Sequence, residues 1–486
     1  MFLTNWLIIE LLLFLNLVIL VFPVDREKKK LWSLLFSSVL GGWLLFLLCG
    51  LSPPCVTPLL LNFFFLDLYS LQIFSFPILF SLEPLTLVFG FLTCFLTCIC
   101  IIIVWKAPIF NLDVYLISLW LLQFSLFHAF TSINLLAFYV FFEVTLIPMF
   151  LIIVVWGARQ RKIHAMYVFF FYTVVGSIFL LIAIMYLYLN TNTFLVLSLS
   201  TIALDDSVQS ILWLLFFFGF AVKVPIVPFH TWLPEAHVEA PTPGSILLAG
   251  LLLKVGTFGM LRFMFPLLNS ANLFFRPLVY VFGIFSIYHA SLIAIRQVDL
   301  KKVIAYSSVA HMGFVILGLF SGSVYGLLGS VFIMFSHGIV ASALFFLVGV
   351  IYDRYKTKNV LDYGSLISVM PVFTVLFFFF TLGNLSFPGT SNFIGELVVL
   401  FGVAETNYFT LLLATFSIVF TIVYSIWSFN RISFGVSSNL KIKGFADISS
   451  LEFQILILFC LFMLIFGLKP SILFFVLEPF ILMLLN

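Results

Sequence analysis

The chain has 486 residues, of which 64% are hydrophobic and 8% charged, with a formal net charge of +3 and a mean hydropathy of +1.27. Apolar runs of about 20 residues recur from end to end, which excludes a soluble globular fold and predicts an all-α polytopic membrane protein. No basic tract for nucleic acid is present, and the small net charge carries no message about partners, because in such a chain the placement of charge matters.

In chain order the runs predict about fourteen spanning helices: 4–24, 31–51, 84–105, 113–131, 133–156, 165–189, 209–232, 243–266, 277–296, 301–321, 324–350, 366–403 with a break, 408–431 and 450–467. The opening run from Trp6 to Val24 is too long for a signal peptide, lacks a small-residue cleavage site and is followed by a charged stop at Asp25 to Lys30, so it reads as the first span. The stretch 57–80 is interrupted by Asn62, Asp67 and Pro77 and reads as an interfacial segment. Phe supplies 66 residues, more than hydrophobicity requires, which points to codon bias in a T-rich organellar genome. Cys49, Cys55, Cys94, Cys98, Cys100 and Cys460 form neither a metal-ligand nor a disulfide pattern. Cys94 and Cys98 share one helix but no second pair accompanies them, so they read as small buried hydrophobes.

Basic residues orient the spans. Of the 22 Lys and Arg, 17 fall after odd-numbered spans: Arg26, Lys28, Lys29, Lys30, Lys106, Arg159, Arg161, Lys162, Arg296, Lys301, Lys302, Arg354, Lys356, Lys358, Arg431, Lys441 and Lys443. Arg262, Arg276 and Lys469 fall on the other side. This bias puts the odd loops on the matrix or cytoplasmic face and both termini opposite.

Ionisable groups inside the apolar runs are the functional candidates, because a charge at the bilayer centre costs about 2.5–3.5 kcal/mol on insertion scales. They are Glu143, Lys223, Lys254, His311, His337 and Glu396, with Glu10 a weaker seventh. Two spans are interrupted beside them. The seventh carries Pro225 and Pro228 just after Lys223, and the twelfth carries Gly383, Pro388 and Gly389 before Glu396. Broken helices leave backbone groups that lipid cannot satisfy, so they line cavities, and a pair in corresponding halves points to a transport site. The interval of five spans predicts two inverted five-helix repeats, dividing the chain into 1–109, 110–270, 271–432 and 433–486. His128 and His289 have no motif around them, His230 and His237 sit where interfacial hydrogen bonding or proton uptake would both fit, and Glu10, Asp67, Glu83, Asp113 and Glu478 lie near span ends and need no special role.

The stretches FYVFFEVTLIPMFLIIVVWG, AVKVPIVPFHTWLPEAHVEAPTPGSILLAGLLLKVGTFGMLR, DLKKVIAYSSVAHMGFVILG and FSHGIVASALFFLVGVIYDR closely resemble the antiporter-like subunits of mitochondrial NADH:ubiquinone oxidoreductase, respiratory complex I, over about residues 110 to 430. Within that family Glu396, in a GEL motif where subunits 2 and 5 typically carry Lys, and the stop at Asn486 without a long lateral helix favour the subunit 4 group. The resemblance implies a proton-pumping module with no redox centre of its own, in a complex that carries FMN, iron–sulfur clusters and ubiquinone elsewhere. It also implies neighbouring subunits 2 and 5 and a place in the mitochondrial inner membrane.

The residues read the same way. Glu143 and Lys223 are placed to pair across the bundle, Lys254 is a switchable carrier, His311 and His337 continue the line, and Glu396 is the exit-side carboxylate. A subunit of a multi-part cation/proton antiporter would carry nearly the same residues. A haem-bearing carrier using His311 and His337 as axial ligands fits the adjacent Lys and Glu less well.

Overall fold

Apolar segments in lipid must close their backbone hydrogen bonds internally, which makes helices the folding solution for these runs. The computed structural model describes residues 2–50, 61–63, 78–105, 110–435 and 446–485. The chain runs through helices α1 (Phe2–Val21) and α2 (Arg26–Gly50), and a two-stranded antiparallel pair, β1 (Leu61–Phe63) and β2 (Ile78–Phe80). It continues through α3 (Pro84–Val104), α4 (Leu112–Thr131), α5 (Leu135–Val144), α6 (Leu146–Trp156), α7 (Lys162–Thr191), α8 (Asp206–Lys223) and α9 (Trp232–Glu239). A composite helix, α10 (Thr242–Leu267), follows, then α11 (Asn269–Arg296), α12 (Leu300–Phe320), α13 (Val324–Tyr355), α14 (Pro371–Asn384) and α15 (Ser391–Ala404), and last α16 (Tyr408–Ser433), α17 (Ser450–Leu468) and α18 (Ser471–Leu485). Among the described residues twelve helices are long and apolar enough to cross a membrane.

Several expectations need correction. The basic cluster after the first span is not a loop but the opening of α2, where Lys30 donates to the Trp105 carbonyl at 2.8 Å and Lys29 pairs with Asp113 at 3.3 Å. Residues 471–485, read as a tail, form a further helix that packs on α13 through Phe474 and Phe332, with ring centroids 5.1 Å apart. Arg262, expected near the end of the span 243–266, is buried inside α10 and paired in a bidentate arrangement with Glu83. The interfacial segment at 57–80 lies almost wholly outside the described residues, as do Cys55, Lys106, Lys441 and Lys443.

Burial sorts the helices into a centre and a rim. α10, α12 and α13 are buried almost throughout, while α7 and α16 expose large side chains such as Phe171 and Phe416. The three central helices carry Lys254, His311 and His337, so the costliest side chains sit where protein surrounds them.

The interruptions have local causes. α5 ends and α6 begins at Thr145, three residues before Pro148, whose missing N–H cannot bond the Val144 carbonyl and whose ring crowds it. The turn between α8 and α9 contains Pro225 and Pro228, and its free groups find partners: Val227 N donates to Ser286 Oγ at 3.0 Å, and the Trp232 indole donates to the Val222 carbonyl at 2.8 Å. Between α14 and α15 the chain turns at Gly389, whose φ of +95° is a conformation glycine adopts without steric cost. Both turns close the same way, with a backbone bond spanning five residues, from Ile226 N to the Ala221 carbonyl and from Phe387 N to the Leu382 carbonyl, each 3.0 Å.

Candidate functional site

Lys254 sits between two π-helical turns of α10, Leu248–Leu252 and Met260–Met264. Such turns spoil the regular carbonyl ladder and often mark functional positions. The Lys254 ammonium takes advantage of one of them and donates to the Ala249 carbonyl. Its second contact is His337 Nδ1 on α13, at 2.9 Å. Gly256, two residues on, lets α8 come close: a Cβ there would lie 2.7 Å from Val224 and 3.1 Å from Lys223 Cβ.

From His337 the line continues to His311 on α12, with ring centroids 5.4 Å apart. His311 Nδ1 is 2.8 Å from Glu396 Oε1 on α15, and its Nε2 is 3.1 Å from Asn384 Oδ1 at the end of α14. The two sides of the broken helix thus grip one imidazole. Both His311 nitrogens are engaged, which leaves neither for an axial haem ligand. Among the described residues no group of three His, Cys, Asp or Glu is arranged to hold a metal ion. His337 Nε2 is buried without a hydrogen-bond partner, so the line has one open step, between the two imidazoles. An unsatisfied buried polar atom of this kind is where an internal water binds.

Glu143 and Lys223 meet the expectation only in part. Among the described residues no ion pair joins them. Lys223 donates instead to the Phe142 carbonyl at 3.0 Å and to Thr145 Oγ1 at 3.4 Å, with its ammonium 3.7 Å from the Phe142 ring centroid. Thr145 Oγ1 also donates to the Phe142 carbonyl at 2.7 Å, so hydroxyl and ammonium share this acceptor where α5 gives way to α6. Glu143 is half-buried on the outer side of α5. Its Oε1 has no hydrogen-bond partner, and the Ser177 hydroxyl, which donates to the Val174 carbonyl at 2.9 Å, lies beside the carboxylate.

His237 makes no interfacial hydrogen bond among the described residues. It is fully buried, its ring stacks on Phe345 at 4.4 Å, both nitrogens lack partners, and Lys301 and Lys254 are within electrostatic reach. Beyond it lies a cluster that sequence reading missed. Lys301 donates to the Ala240 carbonyl at 2.7 Å and to Ser245 Oγ at 3.3 Å, Lys358 donates to the Val238 carbonyl, and Glu239 Oε2 is buried without a partner. Burial lowers the Lys358 pKa, and Glu239 opposes that shift. His230 is grouped with His289 at 5.3 Å between centroids and with Tyr306 at 6.1 Å.

Other residues passed over in the sequence also have partners. His128 Nε2 is 2.9 Å from Glu10 Oε1. Asn384 completes the His311 grip, and the buried Tyr424 hydroxyl lies among Asn384, Ser307 and Glu396. A carboxylate or histidine in an apolar run stands out in a sequence; an Asn or Tyr near a helix break does not.

A family profile described as NADH:quinone oxidoreductase/Mrp antiporter, TM, matches residues 132–421. The chain is 49% identical over 412 residues to NADH-ubiquinone oxidoreductase chain 4 of Acanthamoeba castellanii, covering 83% of each chain. It is 48% identical over 395 residues to the protein of that name from Arabidopsis thaliana, covering 81% of this chain and 79% of the relative. Among solved structures, a chain of respiratory complex I from Thermus thermophilus with bound NADH superposes with a TM-score of 0.87 at 25% identity, covering 99% of both chains. A chain of the Mrp complex from Dietzia superposes with a TM-score of 0.86 at 18% identity, again over 99% of both, which shows a shared fold.

Proposed function

Since the chain belongs to the NADH:quinone oxidoreductase/Mrp antiporter family, we propose that its buried Glu, Lys and His residues form the path along which it moves protons. The chain is a proton-translocating membrane subunit of NADH:ubiquinone oxidoreductase. The observation that carries the proposed path is the run of contacts Lys254–His337, His337–His311 and His311–Glu396 across three buried helices and a broken one.

Proton counting gives the run its chemistry. With Lys254 charged, His337 Nδ1 accepts from it, so His337 is neutral and carries its proton on the unpartnered Nε2. With the Asn384 amide presenting Oδ1, His311 Nε2 donates. The bond at Nδ1 then holds one further proton, either as imidazolium with carboxylate or as imidazole with carboxylic acid. Moving that proton between His311 and Glu396 needs no heavy-atom motion. Transfer across the 5.4 Å gap between the imidazoles needs a water or a ring rotation. That gap is the natural control point, and Lys254, in contact with His337 Nδ1, is the group whose protonation sets it.

His237 with the Glu239, Lys301 and Lys358 cluster is placed to deliver protons to Lys254 from the side that carries most of the basic loops, taken as the matrix. His230, with His289, is a second candidate for uptake. Glu143 and Lys223 modulate Lys254 by charge, and Glu143, half-exposed on the rim, faces the position of a neighbouring antiporter-like subunit, subunit 2 or 5. Fourteen crossings follow if α1, the twelve long helices and the α14–α15 pair each span the inner mitochondrial membrane. The matching backbone closures at the two breaks support two inverted repeats, 110–270 and 271–432, flanked by 1–109 and 433–486. FMN, the iron–sulfur clusters and ubiquinone belong to other parts of the complex.

The test is His311→Gln, which keeps a hydrogen-bonding side chain but cannot change protonation state. With assembly checked on a native gel, proton pumping per NADH in reconstituted vesicles should fall at least about tenfold, within the range that positioned proton carriers contribute. Parental pumping in this variant would overturn the path.

A further inference from the structure

At one end of the bundle the starts of α13 and α16 and the end of α15 border an open cavity of about 500 Å³, lined by Tyr325, Phe401, Ala404, Glu405 and Tyr408. That is the size of a small-ligand site. Its three rings are outward-facing, with Tyr325 at 55%, Phe401 at 58% and Tyr408 at 79% exposure. Aromatic residues at a membrane–water boundary are ordinary anchors, but these line the same cavity as a carboxylate, Glu405. Glu405 is exposed, and its side chain takes part in none of the described ion pairs or hydrogen bonds.

A charge of the opposite sign, in no ion pair among the described residues, lies at the same end of the bundle. The Arg276 guanidinium lies over Gly322, where an added Cβ would be 2.8 Å from Nη2, three residues before Tyr325. Its Nε is buried without a hydrogen-bond partner. Tyr280, one turn along α11 and within electrostatic reach of Arg276, shares a 2.7 Å hydrogen bond with Thr406, the neighbour of Glu405. Arg276 and Glu405 thereby lie at the same end of the bundle, yet among the described residues they do not pair with each other.

A guanidinium is suited to bidentate recognition of a phosphate, and rings around a carboxylate are suited to an ammonium group, quaternary ammonium above all. We propose that this cavity binds the headgroup of a zwitterionic phospholipid, with the phosphate on Arg276 and the ammonium among Tyr325, Phe401 and Tyr408 against Glu405. The basic-residue bias places this end opposite the basic loops, so the lipid belongs to the leaflet on the intermembrane-space side. Choline and ethanolamine headgroups share the required chemistry.

The assembled complex, reconstituted with trace photoactivatable phosphatidylcholine, phosphatidylethanolamine or phosphatidylglycerol, tests this by mapping of the labelled peptides. Label from phosphatidylcholine or phosphatidylethanolamine should concentrate on the peptides carrying Tyr325 and residues 401–408, and the stronger of the two identifies the headgroup. Phe401→Leu and Glu405→Gln should each lower that label about three- to thirtyfold, the range expected for a desolvated cation over rings. Arg276→Gln should do the same and Arg276→Lys retain part. NADH oxidation and assembly should stay parental in the Phe401 and Glu405 variants. Equal labelling by phosphatidylglycerol, labelling indifferent to the substitutions, or no lipid label at this cavity would each overturn the proposal, the last by showing that another protein chain covers it.

Discussion

The two broken helices hold their charged groups in different ways. At the α14–α15 break, His311 is gripped by Glu396 at 2.8 Å and Asn384 at 3.1 Å, and every contact is side chain to side chain. At the α8–α9 break, Lys223 is held by a backbone carbonyl and a hydroxyl of the interrupted α5–α6 helix, and Glu143 stands near it without an ion pair. The first arrangement is satisfied at both imidazole nitrogens. The second leaves Glu143 Oε1 without a hydrogen-bond partner while the ammonium is held by a carbonyl and a hydroxyl. Opposite charges in a protein interior need not be bonded to act on one another, and a loosely held pair is easier to switch than a tight one.

Glu396→Gln should break the satisfied side most severely. It removes a partner from a buried, hydrogen-bonded histidine, for which a penalty of about 3–5 kcal/mol is typical. Pumping should be abolished and the assembled complex should be visibly depleted on native gels. Glu143→Gln should also abolish pumping and slow NADH oxidation, because coupled turnover stalls when the proton step is blocked, but with near-parental assembly since no direct ion pair is lost. Glu143→Asp should be milder. The double variant Glu143→Gln with Lys223→Met sharpens the contrast: its stability should differ from the sum of the single changes by about 1 kcal/mol or less, whereas Glu396→Gln with His311→Gln should deviate by more. A large coupling at Glu143–Lys223 would show that the carboxylate and ammonium are bonded.

A smaller effect is expected where the break itself is capped. Trp232→Phe leaves the Val222 carbonyl without its indole donor and should cost about 1–3 kcal/mol, read as a lower melting temperature of the complex with pumping per NADH retained. Least disruptive is a protease site engineered between Arg159 and Lys162. In sealed mitoplasts it should stay uncut from outside, and cutting there would invert the assigned topology.

Hydropathy made most of the helices legible because each must supply an apolar stretch long enough for the bilayer. α18 is hard to read because Lys469 and Pro470 precede it and Glu478 and Pro479 interrupt its run, and hydropathy gives no sign of its packing on α13. Glu143, Lys223, Lys254, His311, His337 and Glu396 stood out as ionisable groups among apolar neighbours. Their partners did not. Glu83 finds Arg262 across 179 positions and Glu10 finds His128 across 118, separations at which a single sequence holds no pairing signal. Asn384 and the Lys301–Lys358 cluster were invisible for a related reason, since one is a common polar residue at a turn and the others sat within an ordinary basic loop pattern.

Lys254→Arg tests the central claim most directly, measured as protons pumped per NADH oxidised by the complex in sealed vesicles, beside Lys254→Ala. Arg keeps the positive charge facing His337 but does not give up its proton. The account predicts full assembly for both, with pumping largely lost in Lys254→Ala and only partly retained in Lys254→Arg. Parental pumping in Lys254→Arg would contradict it, because the residue would then act as a fixed charge and the proton would travel by another route.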